Sequence, residues 1–467
     1  MTNEAVLTTE LEDARVAESA GLLGQPRGLR TLFFTELWER FSYYGMRSIL
    51  ILYMTSAAAQ GGLGFSVKDA ASIYGTYTMS VYLTAVPGGL IADYLTGARL
   101  AVFLGGVIIA AGHFSMVFRS MTTFYLGLIL ISIGTGLLKP NISAMVGGLY
   151  SKNDPRRDSG FSIFYMGINL GSVLAGFAVG YLAKGETFKS FLASRGQDPN
   201  SSWHYGFGAA GVGMVLGLIV YLLNQRHLKG AGNRLKKASK DKPDDLAARQ
   251  PLTRDDWKRI AVIVILFLFT IVFWGAYEQK GASLNLFADR LVRTEFFGIS
   301  FPAPFLQSLT GTFVIILAPV FSWFWLRMGE KQPSSPAKFG FGLAFIGFAF
   351  LLLVPASLFT AGGKVSVLWL FGLYFFAVCG EMCLSPVGLS TVTKLAPPKL
   401  VGLMLGIWFL AAAFGNKLAG YLSGFFVSDN PWRLTMLYGG IALGLFVSAA
   451  ILALFTPAIK RMMGKVH

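Results

Sequence analysis

Windows of about 20 apolar residues recur along the whole chain, and polar residues are concentrated between them. Each window is long enough to cross the roughly 30 Å hydrocarbon core of a bilayer as a helix. Because backbone groups in lipid must be hydrogen-bonded within their own segment, we predict that every window is an α-helix. The twelve predicted spans are 30–55, 70–95, 98–118, 121–148, 160–184, 203–226, 257–288, 304–326, 335–359, 365–394, 399–427 and 432–457.

The longest polar segment separates the sixth span from the seventh. It is basic, contains no apolar window, and divides the spans into two groups of six, which predicts two six-helix bundles with a cavity between them near the middle of the bilayer. The predicted organisation is a cytoplasmic N-terminal tail (1–29), an N-terminal bundle (30–226), a cytoplasmic linker (227–256), a C-terminal bundle (257–457) and a cytoplasmic tail (458–467).

The composition also indicates a membrane protein. Of the 467 residues, 54% are hydrophobic and only 14% are charged, whereas about a quarter of the residues in a soluble domain are charged. We therefore predict an all-α integral membrane protein. The two cysteines, Cys379 and Cys383, are too few for a disulfide framework or a metal motif.

The basic residues predict the orientation. With span ends counted in the adjacent loops, 26 of the 40 lysines and arginines fall on the side that holds both termini, and nine fall on the other side. The positive-inside rule then places both termini in the cytoplasm. This asymmetry and contact with anionic lipid account for the formal charge of +16, so we predict no nucleic-acid partner. The first 29 residues lack the short apolar core of a cleaved signal peptide.

The first span carries a polar stripe. At about 100° per residue, its charged and tyrosine side chains fall within an arc of roughly 140°. Each charge costs on the order of 2.5–3.5 kcal/mol inside lipid, so such groups are retained where they face a polar pathway. The stripe consists of Glu36, Glu39, Arg40, Tyr43, Tyr44 and Arg47. We predict that it borders a substrate or proton pathway.

Further charges lie inside other spans, namely Lys139, Glu278, Lys280, Glu381 and Lys417. Basic groups of the first half would face Glu278 and Glu381 of the second half across the cavity. A positively charged side of the cavity that faces a negatively charged side suits a zwitterion with separated termini, such as a short peptide. The opposite charges can pair with each other when no ligand is bound. The alternative interpretation is a set of ion pairs that only fix helix packing. Protonation of Glu36 or Glu39 would release Arg40 and shift the equilibrium between the bundles.

The segment between the second and third spans, G-L-I-A-D-Y-L-T-G-A-R at 89–99, resembles the loop signature of the major facilitator superfamily. Asp93 and Arg99 are charged residues of that signature, and the resemblance implies that they gate the cytoplasmic side. Tyr94 stands where a basic residue often follows the aspartate.

Six motifs in order resemble the proton-dependent oligopeptide transporter family of that superfamily, and the resemblance covers nearly all of residues 30–457. The motifs are E-L-W-E-R-F at 36–41, G-T-G-L-L-K-P-N at 134–141, F-S-I-F-Y-M-G-I-N-L-G at 161–171, F-W-G-A-Y-E-Q at 273–279, G-E-M-C-L-S-P at 380–386 and G-L-M-L-G-I-W-F-L at 402–410. The resemblance implies a monomeric bacterial inner-membrane symporter that imports di- and tripeptides with protons by alternating access, without a cofactor.

The resemblance also implies roles for individual residues. Proton coupling would fall to Glu36, Glu39, Arg40 and Glu278. Arg47 and Lys139 would hold the peptide carboxylate, Glu381 the peptide amine, and Asn169 the peptide backbone. Glu381 would also pair with Lys139 in the empty site. The side-chain pockets would be lined by Tyr43, Tyr44, Tyr82, Trp274, Ser385 and Trp408.

The chain departs from the family pattern at several places. Gly75 stands where animal members carry a histidine, so the coupling would rest on the glutamates. Thr310 and Gly311 replace a more usual Asn-Pro pair, so the eighth span offers a short hydroxyl where an amide would both donate and accept. The linker is too short and polar for the two additional helices of many bacterial members, and about five residues near Gly362 replace the large extracellular domain of animal members.

The sequence also bears on three other functions. The same fold could carry another small anion or a modified amino acid, although Glu381 favours a ligand that bears an amine. An integral membrane enzyme is disfavoured because the sequence offers no histidine-rich metal cluster and no usable nucleophile or phosphate motif. A channel is disfavoured because there is no repeated filter-like loop.

Overall fold

A computed structural model describes residues 24–151, 154–228, 231–232, 252–397 and 400–464. Most of the predicted N-terminal tail and linker, and the last three residues of the C-terminal tail, lie outside the described residues. The predicted placement of these three segments therefore stays a prediction.

Helices dominate the described chain. Those of the first half are α1 (Arg27–Thr55), α2 (Val67–Leu83), α3 (Ala85–Ile91), α4 (Ala98–Ser115), α5 (Met121–Gly147), α6 (Arg157–Lys184), α7 (Glu186–Ser194) and α8 (Ser202–Leu223). Those of the second half are α9 (Arg254–Tyr277), α10 (Ser283–Leu291), α11 (Ser308–Met328), α12 (Ser335–Leu351), α13 (Leu353–Phe359), α14 (Leu368–Leu395), α15 (Val401–Ser423) and α16 (Pro431–Met463).

The described strands are two residues long. Strand β1 (Val292–Arg293) pairs in parallel with β4 (Val365–Ser366). Strands β2 (Glu295–Phe296) and β3 (Ile299–Ser300) form a small antiparallel hairpin. These strands follow or precede long helices, so they connect helices and do not form a sheet layer.

Ten helical segments of the described chain are long and apolar enough to cross a membrane, and they coincide with ten of the twelve predicted spans. The other two predicted spans correspond to α1, whose polar stripe lowers its hydropathy, and to α2 with α3, which are separated at Thr84. The all-α membrane class is therefore confirmed.

Two of these ten segments contain a short break in the regular α-helix. The seventh predicted span is interrupted by a 3₁₀ turn, Glu278–Gly281, between α9 and α10. The ninth predicted span is divided at Leu352 between α12 and α13. The first of these interruptions matters for the site, because a turn at Glu278 directs side chains away from the regular spacing of a helix.

Local sequence explains where α9 and α16 begin. Thr253 and Asp256 form a capping box at the start of α9, with Asp256 N donating to Thr253 Oγ1 at 3.1 Å and Thr253 N donating to Asp256 Oδ2 at 2.9 Å. At α16 the side chain of Asn430 accepts from Arg433 N at 3.0 Å, and Pro431 takes the first helical position.

The chain divides into two compact units. Unit one comprises Met1–Tyr44, Thr84–Ser172 and Gly208–Lys236, and unit two comprises Gly45–Leu83, Val173–Phe207 and Lys237–His467. The core of unit one packs α1, α4, α5 and α8 together through residues such as Leu32, Ile109, Leu138 and Met214. A small core of unit two joins α11 to α14 through Val314, Val378 and Met382. The predicted six-helix bundles have different bounds and stay a prediction.

Candidate functional site

The polar stripe of α1 forms a buried charge cluster in unit one. Arg40 Nε lies 3.0 Å from Glu36 Oε1, and the same nitrogen is paired with Glu39 Oε2. Glu36, Glu39 and Arg40 are 2%, 0% and 3% exposed. Glu36 lies four residues before Arg40, the spacing that places two side chains on one face of a helix, and Glu39 directly precedes Arg40.

This α1 cluster has neighbours that can alter its charge. The Arg40 guanidinium lies 5.4 Å from the ring centroid of Tyr43, and the rings of Tyr43 and Tyr44 are 5.3 Å apart in an edge arrangement. The charge of Lys139 on α5 acts on Glu36. Two acids and two bases therefore form one group of interacting charges within unit one.

A second buried pair lies in unit two. Arg47 of α1 donates through Nη2 to Glu278 Oε2 and through Nε to the Tyr74 hydroxyl of α2. Arg47 and Glu278 are 2% and 3% exposed. A Cβ atom on Gly281 would lie 1.7 Å from the Tyr74 hydroxyl oxygen. Only a glycine at position 281 therefore allows Tyr74 to reach Arg47.

The third group surrounds Glu381 on α14, also in unit two. The Tyr277 hydroxyl at the end of α9 donates to Glu381 Oε2. Lys280 Nζ lies 3.9 Å from the centroid of the Tyr277 ring, in cation–π geometry. Glu381 is 8% exposed, so its hydrogen bond and the nearby cation together offset the cost of its burial.

A polar network holds the 3₁₀ turn that carries Glu278 and Lys280. Gln279 Oε1 accepts from Ser283 Oγ at 2.5 Å and from Ser423 Oγ at 2.7 Å. Gln279 Nε2 donates to the Ala419 carbonyl at 3.2 Å. The turn is thus fixed to α15, and all of these groups are buried. This fixes the direction in which Glu278 and Lys280 leave the backbone.

The remaining predicted site residues lie on several helices. Asn169 on α6 is buried and donates from Nδ2 to the Tyr165 carbonyl at 3.0 Å. Trp408 on α15 is buried, and its ring centroid lies 6.0 Å from that of Phe339. Tyr82 is on α2, Trp274 on α9 and Ser385 on α14. Their predicted contacts with a ligand stay predictions.

The predicted gating residues lie in unit one. Asp93 is exposed, within a π-helical turn (Ala92–Thr96). Arg99 at the start of α4 donates from Nε to the Ala231 carbonyl at 2.8 Å, which attaches α4 to the segment after α8. The predicted pair between Lys139 and Glu381 joins residues of different units, so it stays a prediction. The contact that the structure gives for Glu381 is Tyr277.

Sequence reasoning assigned no role to four residues at these groups: Tyr74, Tyr277, Gln279 and Lys280. Each is close in sequence to a residue with an expected role: Tyr74 precedes Gly75, Tyr277 and Gln279 flank Glu278, and Lys280 lies two residues after Glu278. For Tyr277, Gln279 and Lys280, the available signal was a charged or hydrogen-bonding side chain close in sequence to a buried acid.

Comparison with known proteins gives consistent relatives. A family model described as the POT family matches residues 99–243 and 235–432. The chain is 40% identical to the "Uncharacterized transporter YclF" of Bacillus subtilis, over 95% of this chain and 96% of that protein. It is 33% identical to the "Di-/tripeptide transporter" of Lactococcus lactis subsp. lactis, over 94% of this chain and 97% of that protein.

A solved structure is similar over nearly the whole length. It is a mutant of the peptide transporter POT in complex with alafosfalin, with a TM-score of 0.85 and 37% identity, covering 97% of this chain and 98% of that chain. A likeness of that extent indicates that the two chains share one fold.

Proposed function

Because this chain belongs to the POT family, we propose that it is a symporter that carries di- and tripeptides together with protons into the bacterial cell. Membership also confirms the major facilitator fold expected from the sequence. The relatives are transporters, which supports transport in preference to catalysis.

The observation that carries the proposal is the α1 cluster of unit one. Two carboxylates share one guanidinium, and all three groups are almost completely buried in a helix of a membrane protein. Burying these charges in a membrane protein costs free energy, so their presence indicates a functional role. A buried acid that can take up or lose a proton beside a fixed arginine is the chemistry that proton coupling needs.

Lys139 provides a route by which a peptide can affect that cluster. Its charge acts on Glu36 in the empty protein. A peptide carboxylate that binds Lys139 neutralises this charge, which leaves Glu36, Glu39 and Arg40 with an excess negative charge. Proton uptake by Glu36 or Glu39 then restores neutrality, so peptide binding and protonation favour each other.

Arg47 and Glu278 provide the second switch. Protonation of Glu278 would remove the charge that holds Arg47 and would release the guanidinium toward a peptide carboxylate. Glu381 is the acid that we assign to the peptide amine, because a free ammonium group can replace the neutral hydroxyl of Tyr277 as its partner.

Transport requires that the site open alternately to the two sides of the membrane. We propose that the two six-helix bundles rock about the bound peptide, with Asp93 and Arg99 on the cytoplasmic side. The excess of basic residues in one set of loops supports an inner-membrane protein with both termini in the cytoplasm. A monomer suffices for this mechanism, because both bundles come from one chain.

The energy for accumulation comes from the proton gradient. One proton provides about 1.4 kcal/mol per pH unit and about 2.3 kcal/mol per 100 mV of membrane potential. The partners are therefore short peptides, protons and the lipid bilayer, and no cofactor takes part in the proposed cycle.

The test is a competition assay in reconstituted vesicles. Unlabelled di-, tri- and tetrapeptides compete with a labelled dipeptide for uptake, with and without an inward proton gradient. We expect competition from di- and tripeptides and not from tetrapeptides, and accumulation only with the gradient. Vesicles that take up no dipeptide, or that accumulate it equally without the gradient, would contradict the proposed function.

A further inference from the structure

We propose that Lys280 determines how strongly the site selects peptides with a free amino group, because it supplies the positive charge opposite Glu381 in the empty site and competes with the peptide amine. This inference rests on the proposed function, in which Glu381 receives that amine. The family resemblance implies no role in ligand recognition for Lys280.

The geometry connects Lys280 to Glu381 through one aromatic ring. Lys280 Nζ lies 3.9 Å from the ring centroid of Tyr277, and the hydroxyl of the same tyrosine donates to Glu381 Oε2. A cation on the face of a phenol ring draws electron density from it, so the hydroxyl becomes a stronger donor. Lys280 therefore stabilises the ionised form of Glu381 directly by its charge and indirectly through Tyr277.

The other cation near Glu278, Arg47, has partners other than Glu381. Arg47 is bonded to Glu278 and to the Tyr74 hydroxyl. Glu278, Glu381 and Arg47 are the charged groups that act on Lys280. With Arg47 neutralising Glu278, the charge of Lys280 balances that of Glu381, and the four groups together are neutral.

Arrival of a peptide amine disturbs this balance. Two positive charges then act on one buried carboxylate, and like charges in a poorly solvated site repel each other. A free-amine peptide therefore binds less tightly than it would in a site without Lys280. A peptide with a blocked amine brings no second charge, so Lys280 has little influence on its affinity. The residue consequently lowers the preference for free-amine peptides and keeps the carboxylate paired between transport cycles.

Packing is the alternative role for Lys280. Its half-buried side chain covers the Tyr277 ring, and a cation–π contact could serve only to hold the turn after α9. In that case removal of the charge would affect all ligands alike, and the effect would not depend on Glu381. The two roles can therefore be separated by measuring ligand selectivity and by measuring the energetic coupling between Lys280 and Glu381.

The first experiment compares half-saturating concentrations for a free-amine dipeptide and for its N-acetylated form in vesicles. Lys280→Gln should lower the value for the free-amine peptide relative to the acetylated one by about tenfold, the factor that corresponds to one pKa unit of charge interaction. Lys280→Arg keeps the charge and should keep the wild-type ratio.

Lys417→Gln is the matched control for this experiment. Lys417 is another lysine within a span of unit two, but its Nζ donates to Thr76 Oγ1 at 2.7 Å. Its substitution should leave the ratio unchanged. A wild-type ratio in Lys280→Gln, or a Lys280→Arg variant that behaves like Lys280→Gln, would overturn the inference.

The second experiment does not depend on transport. Melting temperatures of purified wild type, Lys280→Gln, Glu381→Gln and the double variant form a thermodynamic cycle. Each single substitution should lower the melting temperature, and the double variant should lose less than the two losses added. Strict additivity would overturn the role of Lys280 as the counter-charge of Glu381, even if wild-type vesicles proved unable to move peptides and the proposed function itself failed.

Discussion

At the residue scale, the site is made of acids and bases that share partners. Arg40 forms ion pairs with two glutamates. Arg47 is hydrogen-bonded to Glu278 and Tyr74, and Glu381 to Tyr277. Removing one of these groups therefore takes a partner away from another buried group. Removing one partner of a buried ion pair typically costs about 3–5 kcal/mol.

Glu39→Gln should separate transport from proton coupling. The amide keeps the shape of the side chain beside Arg40 but cannot take up a proton. We expect gradient-driven accumulation of a dipeptide to be lost, while exchange of labelled for unlabelled peptide across the vesicle membrane continues. Gradient-driven uptake at the wild-type rate would show that Glu39 does not couple protons to transport.

The pair of Arg47 and Glu278 gives a prediction on stability. Glu278→Gln leaves a buried guanidinium without its counter-charge, so the melting temperature of the purified protein should fall markedly. The double variant Arg47→Gln with Glu278→Gln removes both charges and should melt at a higher temperature than Glu278→Gln alone. A double variant that melts at the same or a lower temperature would mean that the pair contributes little to folding.

At the element scale, close approach of helices places the site. Helix α2 crosses α15 where two glycines meet: a Cβ on Gly75 would lie 2.9 Å from Gly420 Cα, and a Cβ on Gly420 would lie 2.6 Å from Gly75 Cα. The absence of a histidine at position 75 therefore has a packing reason, since no side chain fits between these backbones. The same crossing sets the position of Tyr74, whose hydroxyl accepts a hydrogen bond from Arg47.

Gly420→Ala should destabilise this crossing. The added methyl group would also lie 2.6 Å from the Ala71 carbonyl oxygen, and overpacking of this kind costs about 1–3 kcal/mol. We expect a lower melting temperature in detergent. The matched control is Gly440→Ala on α16, where a Cβ meets nothing within 4 Å; it should melt at or above the wild-type temperature. Equal melting of the two variants would show that α2 and α15 can move apart at little cost.

At the scale of the whole molecule, we expect charge asymmetry to orient the chain and the predicted bundles to move against each other during transport. Basic residues are concentrated in the loops that we predict to share a side with the termini. The two compact units each contain a part of the predicted site. Glu36, Glu39, Arg40, Lys139 and Asn169 lie in unit one, whereas Arg47, Glu278 and Glu381 lie in unit two.

The orientation can be tested by cysteine labelling. In a background with Cys379 and Cys383 replaced by serine, Gly362→Cys lies in an exposed turn between α13 and α14, where a side chain meets nothing within 4 Å. A membrane-impermeant maleimide should label it in intact cells. The matched variant Ala247→Cys, in the linker, should be labelled only after the cells are made permeable. The reverse pattern would place the termini outside the cell and contradict the proposed direction.

The sequence by itself determined the membrane class, the places of the helices and the identity of the α1 cluster. These features are local, because hydrophobic length and the three- and four-residue spacing of Glu36, Glu39 and Arg40 depend only on neighbours along one helix. The resemblance in ordered motifs was likewise readable from the chain, and the family model and relatives confirm it.

Only the tertiary structure decided which charges pair in unit two. Arg47 meets Glu278 across 231 positions of sequence, and Tyr277 meets Glu381 across 104. Such partners depend on how helices cross and on the turn that interrupts the seventh span, and neither follows from hydropathy. Lys280 lies over the Tyr277 ring for the same reason, since a turn of a few residues redirects a side chain that a continuous helix would have pointed elsewhere.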